Sequence, residues 1–217
     1  MGGMALICLA QLAPKLPEAL RAEVLREALN AVTDKGKDWA NAKALSILVP
    51  MLPSELVPKA LTAARAIQSK EERAKVLVVL AAKLPEVVPE AFVAVRDMRS
   101  NYTRAITLAN LVPHLPPELL FEAFVIAQNI NVRKPHWIVR VNRDRTIALM
   151  AIASAMLKMQ TSDLLPLWQK VLHSLSSQSR QNLHTLLTLA EVIHVLGGKE
   201  AMAETLAAIQ EVERWWP

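Results

Sequence analysis

The sequence predicts an all-α fold, a right-handed α-solenoid of stacked antiparallel helix pairs, about five to six repeats long and closed by a C-terminal capping helix. Three observations predict it. Leu-Pro pairs recur at Leu16-Pro17, Leu52-Pro53, Leu84-Pro85 and Leu115-Pro116, spaced 36, 32 and 31 residues apart, and each closes an apolar stretch. Counting back from each pair, aligned positions repeat their chemistry: Asn41, Arg73 and Arg104, then Ala42, Ala74 and Ala105, then Leu45, Leu77 and Leu108, then Leu48, Leu80 and Leu111. No segment shows sustained strand alternation between hairpin turns, and glycine is scarce, at five residues of 217.

Steps of three and four place the aligned leucines on one helix face. Each proline fixes its own φ and biases the leucine before it away from helical geometry, so one helix ends there and the next begins. Residues 5–128 are thereby read as regular repeats in the manner of TPR or HEAT arrays, with Leu9, Leu12 and Leu16 holding the frame in the opening helix. First helices of each pair are expected over residues 18–32, 55–68, 86–98 and 118–128. Val88, Phe92 and Val95 mark the inward stripe of the third, and Leu120, Phe124 and Ala127 that of the fourth. Polar turns fall at residues 33–38, 69–72 and 99–103, and Ser69 with Glu72 matches a capping box opening the helix that carries Arg73.

Residues 1–4, Met-Gly-Gly-Met, read as a cloning leader, and the helix after them matches a second helix with no first helix before it. A bare first helix implies a fragment of a longer protein. It also implies an apolar end surface near Leu6, Ile7 and Ala10, open to an upstream repeat or to self-association. Residues 145–217 read as degenerate repeats and a cap. A helix begins at Arg145 with Leu149 and Ile152 inward, a polar turn follows at 160–162, and a helix covers 164–175. After a serine-rich turn at 174–179, a helix over 181–196 stops at Gly197-Gly198, the residue type suited to a left-handed stop. In the last helix, over 199–216, Ala203, Leu206, Ile209 and Val212 form the expected inner stripe, and Glu200, Glu204, Glu211 and Glu213 the polar outside.

Between these parts, residues 129–144 form a basic insertion, because the step from Arg104 to Arg145 lengthens to 41 residues. Arg133, Lys134, Arg140 and Arg143, with Arg145 adjacent, are opposed only by Asp144, and Trp137 supplies a flat ring. Insertions in solenoids emerge on one face, where ligands reach them. Arg133, Lys134, Trp137, Arg140, Arg143 and Arg145 are therefore the candidate binding set, for phosphate, an acidic protein surface or single-stranded nucleic acid. The competing reading is a spacer whose Trp137 and Ile138 pack into the seam while the arginines are solvated. Lys43, Arg73, Arg104 and Arg145 occupy related repeat positions and either align as a ladder or pair with neighbouring turns.

Composition narrows the function classes. A net charge of +5 is modest for 217 residues, and outside the insertion basic residues alternate with acids, as in Arg21, Glu23, Arg26 and Glu27, unlike the basic stripe of a duplex binder. Apolar residues make up 53%, enough for a sizeable core, yet the longest apolar run falls short of a membrane span. The single cysteine, Cys8, permits no internal disulfide and no thiolate set for zinc, which fits a cytoplasmic protein. The five histidines lack His-Glu-x-x-His spacing. No catalytic residue, metal ligand or cofactor is assigned, and a non-enzymatic protein is expected.

Units that run from Arg73-Ala74 to Leu84-Pro85, a Gly197-Gly198 turn and a closing Trp215-Trp216-Pro217 resemble the C-terminal helical repeats of bacterial STAND proteins, signal-transduction NTPases of the NACHT and NB-ARC type. The resemblance spans nearly the whole chain. It implies a sensor region that binds another protein, or the upstream domains of its parent, and reports occupancy to a nucleotide switch. No Gly-x-x-x-x-Gly-Lys-Ser/Thr loop is present, so the resemblance carries no ATPase activity to this chain.

Overall fold

A computed structural model describes residues 3–32, 38–130, 143–176 and 183–215, and among them the regular elements are all helical. The chain divides into two compact units, Met1–Ser100 and Asn101–Pro217.

In the first unit α1 (Gly3–Leu12), α3 (Asp38–Leu48) and α5 (Lys70–Ala81) pack side by side in that order. Beside them α2 (Glu18–Ala31) contacts α4 (Val57–Ala66), while α4 and α6 (Val88–Arg96) lie against α5. The junctions explain this alternation. Leu16, Leu52 and Leu84, each held before a proline, leave the helical region with ψ of 149°, 135° and 89°. Two of these junctions carry an earlier proline as well. Pro14 and Pro50 start single 3₁₀ turns, Ala13–Lys15 and Val49–Met51, so the chain tightens before it turns. At the third junction Ala82 stands in place of that proline, and α5 runs unbroken through Ala81. Leu45, Leu48, Leu77 and Leu80 are fully buried, as the leucine spacing predicts, and Val88, Phe92 and Val95 are buried too.

Hydrogen bonds recur between residues about thirty positions apart. The Ser69 amide donates to Asp38 Oδ2 at 2.7 Å and the Ser100 amide to Glu71 Oε1 at 3.1 Å. Each time, an acid in the first turn of a helix accepts from the amide of a serine further along the chain, 31 and 29 residues away. Lys83 Nζ reaches the Leu52 carbonyl at 2.7 Å, linking consecutive Leu-Pro junctions. On the first helices, Lys59 donates to Asn30. Arg65 grips Glu90 through Nε at 3.2 Å and Nη2 at 2.6 Å. That hydrogen bond, with the carboxylate charge, raises the Arg65 pKa above its ordinary value.

The capping box is half as expected. The Glu72 amide donates to Ser69 Oγ at 3.4 Å, but the Glu72 carboxylate turns to Lys75 Nζ at 2.6 Å. The serine's own amide is satisfied by Asp38 of α3 instead. A local cap has become a contact between α5 and α3.

The opening helix is rotated from its expected position. Leu6, Ile7 and Ala10 are buried, while Met4, Cys8 and Leu12 face outward. The reason is that α1 carries no charge and presents apolar side chains all round, so its period marks no outside. Of the leader read at residues 1–4, Gly3 and Met4 are helical and the rest lies outside the described residues.

The second unit contains α7 (Asn101–Leu111), α8 (Pro117–Gln128), α9 (Arg143–Met156), α10 (Thr161–Ser176), α11 (Leu183–Thr188) and α12 (Ala190–Trp215). Helix α9 is its hub, packed against α7, α8 and α11, with α10 against α8. Leu108, Leu111, Phe124, Leu149, Ile152 and Met156 form the core. Residues Thr161 and Ser162, expected in a turn, open α10, because the Gln160 carbonyl already accepts the Asp163 and Leu164 amides. Pro166 lies inside α10.

The two glycines are explained separately. Gly198 adopts φ 70° and ψ −165°, a glycine-only conformation but not the left-handed helical one expected, and it breaks α12. Gly197 leaves room for Ala201, whose Cβ would lie 2.5 Å from an added Cβ. Beyond that break the expected inner stripe is only partly inward. Ile209 is buried, whereas Ala203, Leu206 and Val212 are exposed.

Candidate recognition surfaces

Among the six residues of the basic set, Arg133, Lys134, Trp137 and Arg140 lie outside the described residues. Arg143 is the first residue of α9 and is exposed. Arg145, two positions on, turns toward the protein. Its Nη2 donates to Thr185 Oγ1 at 2.8 Å, with Thr185 almost fully buried, and desolvation pushes the Arg145 pKa below its ordinary value. Arg143 and Arg145 thus differ in role despite their proximity: one is available to a ligand and the other joins α9 to α11.

The related repeat positions behave like Arg145. Arg73 Nη1 donates to the Ile67 carbonyl at 2.8 Å, and Arg104 Nη2 donates to Asn101 Oδ1 at 2.6 Å. These side chains satisfy acceptors at helix starts and in turns, which favours the turn-pairing reading over an outward ladder. Lys43 alone of the four is exposed. Sequence reasoning passed over two exposed aromatics close by in the frame, Trp39 on α3 and Tyr102 on α7. Each sits two residues before the Asn or Arg of its repeat, a position whose exposure the leucine frame could have shown.

The clearest apolar concavity lies in the second unit between α11 and the two arms of α12. Leu186, Leu187, Ala190, Ile193, Met202 and Leu206 line about 280 Å³ of open space. Thr205 also borders it, but its hydroxyl is spent on the Ala201 carbonyl at 2.7 Å. The groove consequently offers a ligand almost no hydrogen bonding and a mostly aliphatic wall. Leu187, Met202 and Leu206 are 48%, 37% and 47% exposed, well beyond what a sealed core would leave. The bend at Gly198 makes this space, since it swings the later arm of α12 away from a straight course. A second hollow, of about 170 Å³, lies beside Pro113, Leu115, Ser154 and Lys158.

His114, His173 and His194 are exposed, and His136 lies outside the described residues. Among the described residues, no group of three His, Cys, Asp or Glu could hold a metal ion. The serines near the end of α10 include Ser174, whose hydroxyl donates to the buried Gln128 Oε1 at 3.0 Å and so braces α10 against α8. No helix among the described residues is long and apolar enough to cross a membrane.

The chain matches no family model, and no curated protein or solved structure matches it.

Proposed function

We propose that this chain is a non-catalytic protein-recognition module, an α-solenoid that serves as the sensor region of a signal-transduction NTPase of the STAND type. The solenoid reading is supported by bonds that recur at one-repeat spacing, Ser69 to Asp38, Ser100 to Glu71 and Lys83 to Leu52. The recognition reading rests on the groove of α11 and α12, whose exposed leucines and methionine suit an apolar helix face of a partner protein. A cytoplasmic location is part of this proposal, since a sequence with one cysteine has no internal disulfide framework.

The test is a comparative capture. The wild-type chain and the Leu206→Arg variant are immobilised and exposed to proteins of the source cell, and retained species are compared. A partner held by the wild type and lost by the variant is expected, because a guanidinium in an apolar groove has no acceptor there. Identical retention by both would refute the groove as the recognition site. The alternative, phosphate or nucleic-acid binding through residues 129–145, draws its support from the exposed Arg143.

A further inference from the structure

We infer that the hollow beside Ser154 and Lys158 in the second unit is a binding site for a carboxylate carried on a short aliphatic group. It offers about 170 Å³ between the start of α8, the turn Val112–His114 and the end of α9. Leu115, Leu120, Ala151 and Ala155 give it an aliphatic floor. Among the described residues of its walls, Lys158 carries the only charge and Ser154 the only hydroxyl, and both are exposed. Neither side chain has a hydrogen-bond or ion-pair partner among the described residues. Glu118, the acid in the first turn of α8, does not line the space. An ammonium and a hydroxyl above an apolar floor match a ligand with anionic oxygens at one end and hydrocarbon at the other.

In the first unit the matching place is bridged by the protein itself. There α5 packs against the turn Val49–Met51, as α9 packs against Val112–His114 here. Aligning Leu77 and Leu80 with Leu149 and Ile152 sets Lys83 opposite Ala155, and Leu52 corresponds to Leu115 in the Leu-Pro series. Lys83 Nζ donates to the Leu52 carbonyl at 2.7 Å, so that cation is spent within the protein. In the second unit a methyl group stands where the lysine stem would lie, and the lysine comes three residues later, without a protein acceptor. The exchange opens the space and leaves a cation at its edge. A space this size lies below the roughly 300–1,000 Å³ of cofactor and drug-sized pockets, which restricts the ligand to a small acid.

Heteronuclear NMR of the full chain, titrated with sodium isocaproate, tests this. Saturable shifts of the Ser154, Ala155 and Lys158 amides are expected, with a Kd of about 1 mM, as suits so few ligand atoms. The uncharged isocaproamide should shift none of them. Lys158→Met keeps the aliphatic stem without the charge and should weaken binding about tenfold. Ala155→Lys, which copies Lys83, should abolish it, and both variants should keep the wild-type circular-dichroism spectrum. N-Acetylleucine separates two sources of the same chemistry: binding tighter than that of isocaproate assigns the site to the C-terminus of a peptide, and weaker binding to a free acid. No saturable shift at any concentration, or equal shifts by acid and amide, would overturn the inference. Isocaproate binding unchanged in Lys158→Met would overturn it too.

Discussion

Replacing Asp38 by Ala isolates a contact that joins α3 to the start of α5. The carboxylate accepts the Ser69 amide at 2.7 Å in a half-buried setting and also stands in the first turn of α3. A hydrogen bond to a charged group contributes about 1.5–3 kcal/mol, and an acid at a helix N-terminus about 0.3–1 kcal/mol. Partial exposure favours the lower end of both ranges, so the substitution should cost about 2 kcal/mol. Asp38→Asn keeps an acceptor without the charge and should recover roughly half of that loss. Glu71→Ala breaks the equivalent bond to Ser100, which is longer at 3.1 Å, and should cost less. Urea unfolding followed by circular dichroism measures all three. Exchange of the Ser69 amide with deuterium should quicken in Asp38→Ala at the same time. A cost below about 0.5 kcal/mol with Ser69 exchange unchanged would refute the reasoning, since the residue would then behave as an ordinary surface acid.

Other substitutions probe separate parts of the account. Leu77→Ala and Leu108→Ala, at fully buried positions, should each cost about 2–5 kcal/mol in urea unfolding, the range for cavities that cannot collapse. Thr185→Val removes one acceptor of the half-buried Arg145 and should cost about 1–3 kcal/mol, measured the same way. Gly198→Ala puts a side chain at a φ of 70° and should cost about 1–3 kcal/mol, although nothing lies within 4 Å of the added carbon. If residues 129–145 bind phosphate, retention of single-stranded nucleic acid on filters should fall steeply with salt, and Arg143→Glu should flatten that slope.

What the sequence made legible depended on chemistry that acts locally. A proline imposes its geometry on the residue before it wherever it stands, so Leu16, Leu52, Leu84 and Leu115 left the helical region where expected. Alternating stripes made Phe92 and Phe124 recognisable as core. Pairings across a repeat were hidden, because nothing near Ser69 announces that its amide will meet an acid 31 residues earlier. Orientation was lost where amphipathicity is weak: uncharged α1 offered two apolar faces, and sequence alone gave no basis for burying the one with Leu6 and Ile7. The groove escaped notice for a related reason. Leu206 and Val212 share a periodic stripe with the buried Ile209, and only the break at Gly198 decides that the stripe is left partly uncovered. Of the basic set, the pattern of charges could not separate the exposed Arg143 from Arg145, whose partner Thr185 is 40 residues away.

The central proposal is that this chain is a stack of repeats, each held chiefly by its neighbours. Hydrogen-exchange mass spectrometry of Leu77→Ala beside the wild type tests it most directly. The account predicts faster exchange in α5 and in the adjoining α3 and α6, with peptides from residues 183–215 unchanged. Uniform loss of protection along the whole chain would contradict it, for that is how a single cooperative bundle fails.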